Sequence, residues 1–191
     1  MLKDLILKNR SYRSFDPKVR ITKEELASFV DCARFSPSSI NLQMLKFRLI
    51  YEEAECATML ANTRWAGKIT DQKLPPEGHA PAAYIVICAD TSVIETAEKF
   101  QKDVGILAQT LLLAAVEDGF GGCMIGSFSK ETVRALLGLP EHLPPQLVFA
   151  LGKPDERVET VPLPENGDTS YYRENGVHYV PKRSLDELII S

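Results

Sequence analysis

Hydrophobic positions along this chain alternate between helical and strand periods, and two stretches are apolar throughout. From Val104 to Val116 no charged residue occurs, inside a helical pattern that runs from Thr96 to about Gly119. A helix apolar all round must be covered on every side, by a large core or by a second subunit. Ala82 to Ala89 is apolar on both faces, as a central strand is. Around these, Leu2 to Lys8 predicts a short helix, and Thr22-Lys-Glu-Glu25 is a capping box opening a helix to about Arg34. Phe47 to Tyr51 predicts a strand, Glu53 to Ala61 a helix, Gly121 to Ile125 a strand and Ser129 to Leu137 a helix ended by Gly138. Gln146 to Leu151 and Val177 to Val180 complete the strands, and Ser184-Leu-Asp-Glu187 caps a closing helix. The proline-rich points at 75–76, 144–145 and 162–164 are short enough to be loops. Strands and helices interleave without strict βαβ alternation, which predicts an α+β layer fold rather than a doubly wound one.

Composition narrows the class. With 191 residues, 45% hydrophobic, and 22 basic against 26 acidic side chains, the chain is expected to fold as one domain over 1–191 without disulfide or metal staples. A net charge of −4 provides no electrostatic footprint for nucleic acid. No apolar run approaches the ~20 residues needed to cross a bilayer, and the mixed charge of Met1-Leu-Lys-Asp-Leu, unlike a signal peptide, sets the expectation of a cytoplasmic protein. Cys32, Cys56, Cys88 and Cys123 are far apart within apolar surroundings and read as buried free thiols, with a reactive thiol at Cys123 beside the glycine turn as the alternative; with the scattered His79, His142 and His178 they form no metal-ligand spacing.

Four clusters could carry chemistry. Asn9-Arg10-Ser11-Tyr12-Arg13 places two guanidinium forks and a hydroxyl together, donors suited to phosphate oxygens. Pro181-Lys182-Arg183-Ser184 sets two cations before a helix N-terminus, where an anion is favoured. Ser36 to Gln43 is dense in groups that donate and accept hydrogen bonds. The turn Gly119-Phe-Gly121-Gly122-Cys-Met-Ile-Gly126-Ser127 lacks the Lys-Ser of a P-loop, but glycines after a strand let backbone N–H groups approach a flat ligand. Alone, these clusters also fit bland roles: a solvated turn, a basic linker, a helix cap. No acid, base or nucleophile constellation stands out, which points to chemistry carried by a cofactor.

Together and in order, these clusters resemble the nitroreductase family of FMN-dependent oxidoreductases. The resemblance rests on Arg10-Ser11-Tyr12-Arg13-Ser14-Phe15, on Ala33 through Pro37, Ser38, Asn41 and Gln43, on Ala80-Pro81, and on Asp103-Val-Gly105 to Gln109. Ile125-Gly126-Ser127-Phe128, Leu151-Gly-Lys-Pro154 and Pro181-Lys-Arg-Ser184 complete it. It implies a central, mostly antiparallel sheet flanked by helices, an intertwined homodimer, and FMN at the subunit interface, with NADH or NADPH as donor and a small-molecule acceptor such as a nitroaromatic or quinone. Under it, Arg10, Ser11, Lys182 and Arg183 hold the FMN phosphate and Arg13 lies near the pyrimidine edge. Ser38, Ser39 and Asn41 come from the partner subunit, and the N–H groups of Gly126 and Ser127 face the flavin. No side chain is needed as a catalytic group, because flavin N5 carries the chemistry; a non-catalytic FMN store or sensor, or a specialised family activity such as enone reduction, dehalogenation or flavin fragmentation, fits the same residues. Asn9 stands where a family arginine is common, and Met44-Leu45 where Pro-Trp is frequent. The segment from Asn62 to Gly78, with Arg64, Trp65 and Lys68, reads as a substrate lid or a surface excursion.

Overall fold

The computed structural model describes every residue except Thr70, Asp71 and Ser191. Its frame is a four-stranded antiparallel sheet of β1 (Leu45–Ile50), β2 (Ala83–Ala89), β3 (Gly121–Ile125) and β4 (Pro145–Gly152) in the order β1-β2-β4-β3. All residues of β2 are buried, and the two-residue alternation of a strand divides them. Ala83, Ile85, Ile87 and Ala89 pack with Leu26 and Phe29 of α2 (Lys23–Ala33) and with Leu107 and Leu111 of α4 (Gln101–Glu117). Tyr84, Val86 and Cys88 face Met59 of α3 (Glu53–Ala61) and Val133 of α5 (Lys130–Leu136). Helices thus cover both faces of the sheet, which is why a central strand without a polar side survives. Each fully buried aliphatic side chain contributes roughly 1.5–3 kcal/mol relative to exposure, as an upper estimate.

Local signals set most boundaries. Thr22 caps α2, its hydroxyl accepting from the Glu25 N–H while the Glu25 carboxylate accepts from the Thr22 N–H at 2.7 Å. Ser129 accepts from the Thr132 N–H at the start of α5, and Gly138, at φ 60°, follows its end. The helix α1 (Leu2–Lys8) matches its predicted span. The long charge-free helix differs in two respects. It begins with a 3-10 turn at Ala97–Phe100 before α4 proper, and only one of its faces is buried within the chain. Ile106 remains 40% exposed, and Gly105 and Gln109 lie open beside it, so the cover expected on every side is not supplied by this chain.

Of a second sheet, the sequence pattern predicts only the strand around Val177 to Val180. β5 (Arg157–Pro162), β6 (Tyr172–Glu174) and β7 (Val177–Lys182) form a three-stranded sheet in the order β5-β7-β6, with β5 and β7 parallel. Pro162, read as loop, ends β5, an edge strand, where a missing N–H is tolerated. A tight turn at Asn175-Gly176, both at positive φ, joins β6 to β7. The helix α6 (Leu185–Leu188) closes the chain.

Glycines permit close approach inside this frame rather than at a ligand. A Cβ on Gly121 would lie 2.6 Å from the Tyr12 ring, on Gly122 2.5 Å from the Ala150 carbonyl oxygen, and on Gly152 2.6 Å from Phe15. Within the glycine-rich turn, Gly121 and Gly122 thus serve packing, since protein atoms occupy the space beside them. Gly126 differs, with nothing within 4 Å. Gly122→Ala is expected to destabilise the fold by about 1–3 kcal/mol, since backbone must shift, whereas Gly126→Ala should stay within about 0.5 kcal/mol. Urea unfolding of the two variants beside wild type checks this, and equal midpoints would contradict it.

Candidate functional site

The segment after α1 runs beside β3 and brings the first basic cluster into the protein. The Tyr12 N–H donates to the Gly122 carbonyl at 3.1 Å and the Tyr12 hydroxyl to the Lys8 carbonyl at 2.8 Å, while Ser11 bridges Gly122 in parallel fashion. With Tyr12 against Gly121 and Phe15 against Gly152, the intervening Arg13 is only 8% exposed. The backbone N–H groups of Arg13 and Ser14 both donate to Oε1 of Glu156, and Oε2 of Glu156 pairs with Arg173 of β6. Burial pushes the Glu156 carboxyl up, against the lowering effect of the Arg13 N–H bond and the Arg173 charge.

The Arg13 guanidinium is held differently. Nη1 donates to the Ser11 carbonyl at 3.2 Å and faces Nε2 of His178 at 3.3 Å, and the group lies 5.1 Å from the Tyr171 ring centroid. Among the described residues no carboxylate forms an ion pair with it, and its Nε is buried without a partner. A cation in that state is costly unless something outside the chain complements it.

Arg13 lines a cavity of about 300 Å3 with Arg64, Trp65, Gly126, Ser127 and Tyr171. The Arg64 N–H donates to the Ser127 carbonyl at 3.0 Å, tying the idiosyncratic segment to the glycine turn. Trp65 Nε1 donates to Thr63 at 3.1 Å, and Lys68 Nζ to Ser170 at 3.2 Å. The lid expectation also covers Thr70 and Asp71, which lie outside the described residues. A second concavity of about 570 Å3 shares Arg64, Gly126 and Ser127. Cys123 also borders the first cavity, but it is buried and its thiol is pushed up by burial, unlike an activated thiolate. Cys56 and Cys88 are buried as expected; Cys32, on the outer side of α2, is exposed and corrects that expectation.

The other expected site residues lie elsewhere. Ser38 borders a concavity of about 160 Å3 together with Asp103. The Ser39 N–H and hydroxyl both donate to the Asp103 carboxylate, at 2.9 and 2.7 Å, and Asp103 is 1% exposed. Ile40, Asn41 and Gln43 adopt φ of 48°, 56° and 52°, an uncommon backbone for such residues and a costly one for a β-branched side chain. Arg10 is spent on backbone, donating to the Asn9 and Ile6 carbonyls at 2.6 and 2.8 Å, and Asn9 reaches Gln109 of α4 at 3.5 Å. Lys182 and Arg183 border a fourth concavity, of about 430 Å3. There the Glu187 carboxylate accepts from Arg183 Nη1 at 3.3 Å and from the Ser184 N–H at 2.8 Å, so a side chain of this chain already meets the α6 N-terminus. The structure thus gathers Arg13, Arg64, Trp65, Gly126 and Ser127, with Ser11 contributing its carbonyl; Arg10 and Arg183 share no partner among the described residues.

Glu156, Tyr171 and Arg173 are not among the residues that the sequence singles out, and His178 is there only one of three scattered histidines. These four residues belong to the small sheet and the segments entering it, and the usable signal was His178 alternating with Val177 and Tyr179 inside a strand pattern, a polar ring on an inward position.

An antiparallel sheet sandwiched by helices, with a buried guanidinium in no ion pair among the described residues beside the open Gly126-Ser127 turn, defines an α+β fold with a cavity suited to a ligand. Residues 6–153 match the Nitroreductase family, and the chain belongs to that family. It is 29% identical over 176 residues to the NADPH-flavin oxidoreductase of Vibrio harveyi, covering 83% of this chain and 68% of that protein. The fold is similar to that of a nitroreductase family protein of Streptococcus pneumoniae TIGR4, with a TM-score of 0.73, 18% identity and complete coverage (100%) of both chains. It is also similar to an FMN-dependent nitroreductase of Clostridium difficile R20291, with a TM-score of 0.62 and 24% identity over 79% of this chain and 87% of that one.

His178 makes the site sensitive to acid. Burial first, then the charges of Arg13 and Arg173, push its pKa down from 6.5 to about 4. The unfolded chain therefore takes up the proton first as pH falls: the stability due to the neutral ring is complete above about pH 6.5 and drains away toward pH 4, by about 3 kcal/mol in all. Glu156, with its raised carboxyl, contributes in the opposite sense, being favoured when protonated. His178→Gln removes one contribution and keeps the other. Unfolding free energies measured from pH 7.5 to 4.5 should fall more steeply in wild type than in the variant; parallel curves would refute the assignment.

Proposed function

We propose that this chain is an FMN-dependent NAD(P)H oxidoreductase that works as a homodimer and reduces a small, flat acceptor such as a nitroaromatic or quinone. The observation that carries the reading is the buried Arg13 guanidinium, in no ion pair with a carboxylate among the described residues, beside the open backbone of Gly126 and Ser127. Those features suit an isoalloxazine: a cation for the electron-rich pyrimidine edge, Gly126 and Ser127 N–H groups that donate to no carbonyl among the described residues, and flat side chains, Trp65 and Tyr171, along the walls. Bound FMN would supply hydride acceptance and donation at N5. The chain's own residues would bind and orient it. In this proposal Arg13 takes the ring edge, Gly126 and Ser127 the opposite edge, Arg10, Ser11, Lys182 and Arg183 the phosphate, and Ser38, Ser39 and Asn41 reach in from a second copy. Arg64, Trp65 and Lys68 border the acceptor's approach. Residues 1–191 act as one unit in this reading, in the cytoplasm. The flavin and NADPH named in relatives support the cofactor and the donor.

Support for the dimer is the open face of α4 at Gly105, Ile106 and Gln109, together with exposed Leu2, Ile6, Phe35 and Ile40. Light scattering at micromolar concentration should give about twice 21.3 kDa; a monomer mass would remove the second copy's part of the site.

The purified protein should be yellow, release FMN rather than FAD on denaturation, and bleach on anaerobic addition of NADH or NADPH. A protein that binds no added FMN overturns the reading, and one that binds it without bleaching is a flavin store. Charge-assisted hydrogen bonds contribute roughly 1.5–3 kcal/mol each, so Arg10→Ala and Arg183→Ala should each weaken FMN by about ten- to a hundredfold, while riboflavin loses little further. Fluorescence titration reads both ligands, and unchanged FMN affinity in both variants would free these arginines from the phosphate.

A further inference from the structure

Arg13 is held on three sides by groups that carry no charge: the Ser11 carbonyl, the Tyr171 ring and the His178 imidazole. A guanidinium only donates, so Nε2 of His178 must accept and the ring proton must sit on Nδ1, which is buried with no partner among the described residues. The imidazole is presented by β7, the middle strand of the small sheet, opposite Arg173 in β6 and beside Val158 in β5, and it is 2% exposed.

We propose that His178 is a positioning residue for flavin binding: by accepting from Nη1 of Arg13 it holds the guanidinium fork toward the cavity bordered by Arg64 and Gly126. The inference rests on the FMN reading above. A neutral acceptor serves this task where a carboxylate would not, because a carboxylate would spend the Arg13 charge that a ligand is to use. The neighbouring carboxylate is already committed, since Glu156 takes Arg173 and the N–H groups of Arg13 and Ser14. Burial and the flanking charges of Arg13 and Arg173 keep the ring neutral at physiological pH. A long side chain fixed before binding has less freedom to lose on binding, and that difference appears as affinity.

The test is a double-mutant cycle on flavin affinity, read by fluorescence titration at pH 7.5. His178→Gln, whose amide oxygen can take the place of Nε2, should bind FMN within about threefold of wild type. His178→Phe, which keeps bulk without an acceptor, should bind about tenfold or more weakly. Riboflavin should show the same ratio between variants, because the contact concerns the ring. With Arg13→Ala in place, His178→Phe should cost nothing more. If His178→Phe does not fold by circular dichroism, His178→Asn, whose oxygen falls short of the Nε2 position, takes its place with the same expected weakening. Three results would overturn the inference: equal affinity in the acceptor-free variant and wild type, a Gln variant as weak as the acceptor-free one, or an undiminished penalty without Arg13. Failure of wild type itself to bind FMN would instead overturn the reading beneath it.

Discussion

Everything near the candidate site depends on how closely the segment from Asn9 to Phe15 can lie against the sheet. Tyr12 and Phe15 occupy the space that side chains at Gly121 and Gly152 would need, and the Tyr12 N–H reaches the Gly122 carbonyl because nothing stands between the two backbones. That contact sets the height of Arg13 and Ser14, and so lets both of their N–H groups converge on one oxygen of Glu156. Lift the segment by the width of a methyl group and the carboxylate, Arg173 and the guanidinium of Arg13 all lose their register. A packing constraint at two glycines, Gly121 and Gly152, thus governs an electrostatic arrangement several residues away.

That arrangement distributes charge unequally. Three buried or half-buried polar groups come from the small sheet or the segment before it, yet the carboxylate is consumed by Arg173 and backbone, and His178 is kept neutral. One guanidinium, Arg13, is left in no ion pair among the described residues, with the more distant Glu156 charge acting on it and with the Tyr171 and Trp65 rings nearby. Inside a medium of low effective dielectric such a charge acts strongly on whatever enters the adjoining cavity. The unpartnered Nε of Arg13 and Nδ1 of His178 are a cost of the fold, of the kind that persists where a site is organised before its ligand arrives.

The other half of the proposed site shows the same logic through strain. The loop after α2 carries left-handed conformations at Ile40, Asn41 and Gln43, which unaided chain would relax. The buried Asp103 carboxylate, with its bonds from the Ser39 N–H and hydroxyl, anchors that loop to α4. The same helix turns its buried face to the sheet and leaves Ile106 open, so one element supports the core, the loop and an uncovered apolar surface together.

Periodicity and capping chemistry are local, and they were legible in the sequence. The helix at Leu2–Lys8, the capping box at Thr22, the doubly apolar β2 and the strand Gly121–Ile125 all follow from short-range patterns, and the ordered motifs from Arg10 to Arg183 sufficed to place the chain in its family. The strands β5 and β6 were not legible, because they are short, half-exposed and stabilised by pairing with β7 rather than by their own pattern. Nor could spacing reveal that Gly121 and Gly122 serve Tyr12 and Ala150 rather than a ligand, or that Glu187 meets the N-terminus of α6. Above all, the neutral state of His178 and the unmatched charge of Arg13 arise from which groups lie within about 3–4 Å in a dry interior. Residue types and their order along the chain determined what chemistry was available; only tertiary contact, by burying some charges beside their partners and one without, decided where it could act.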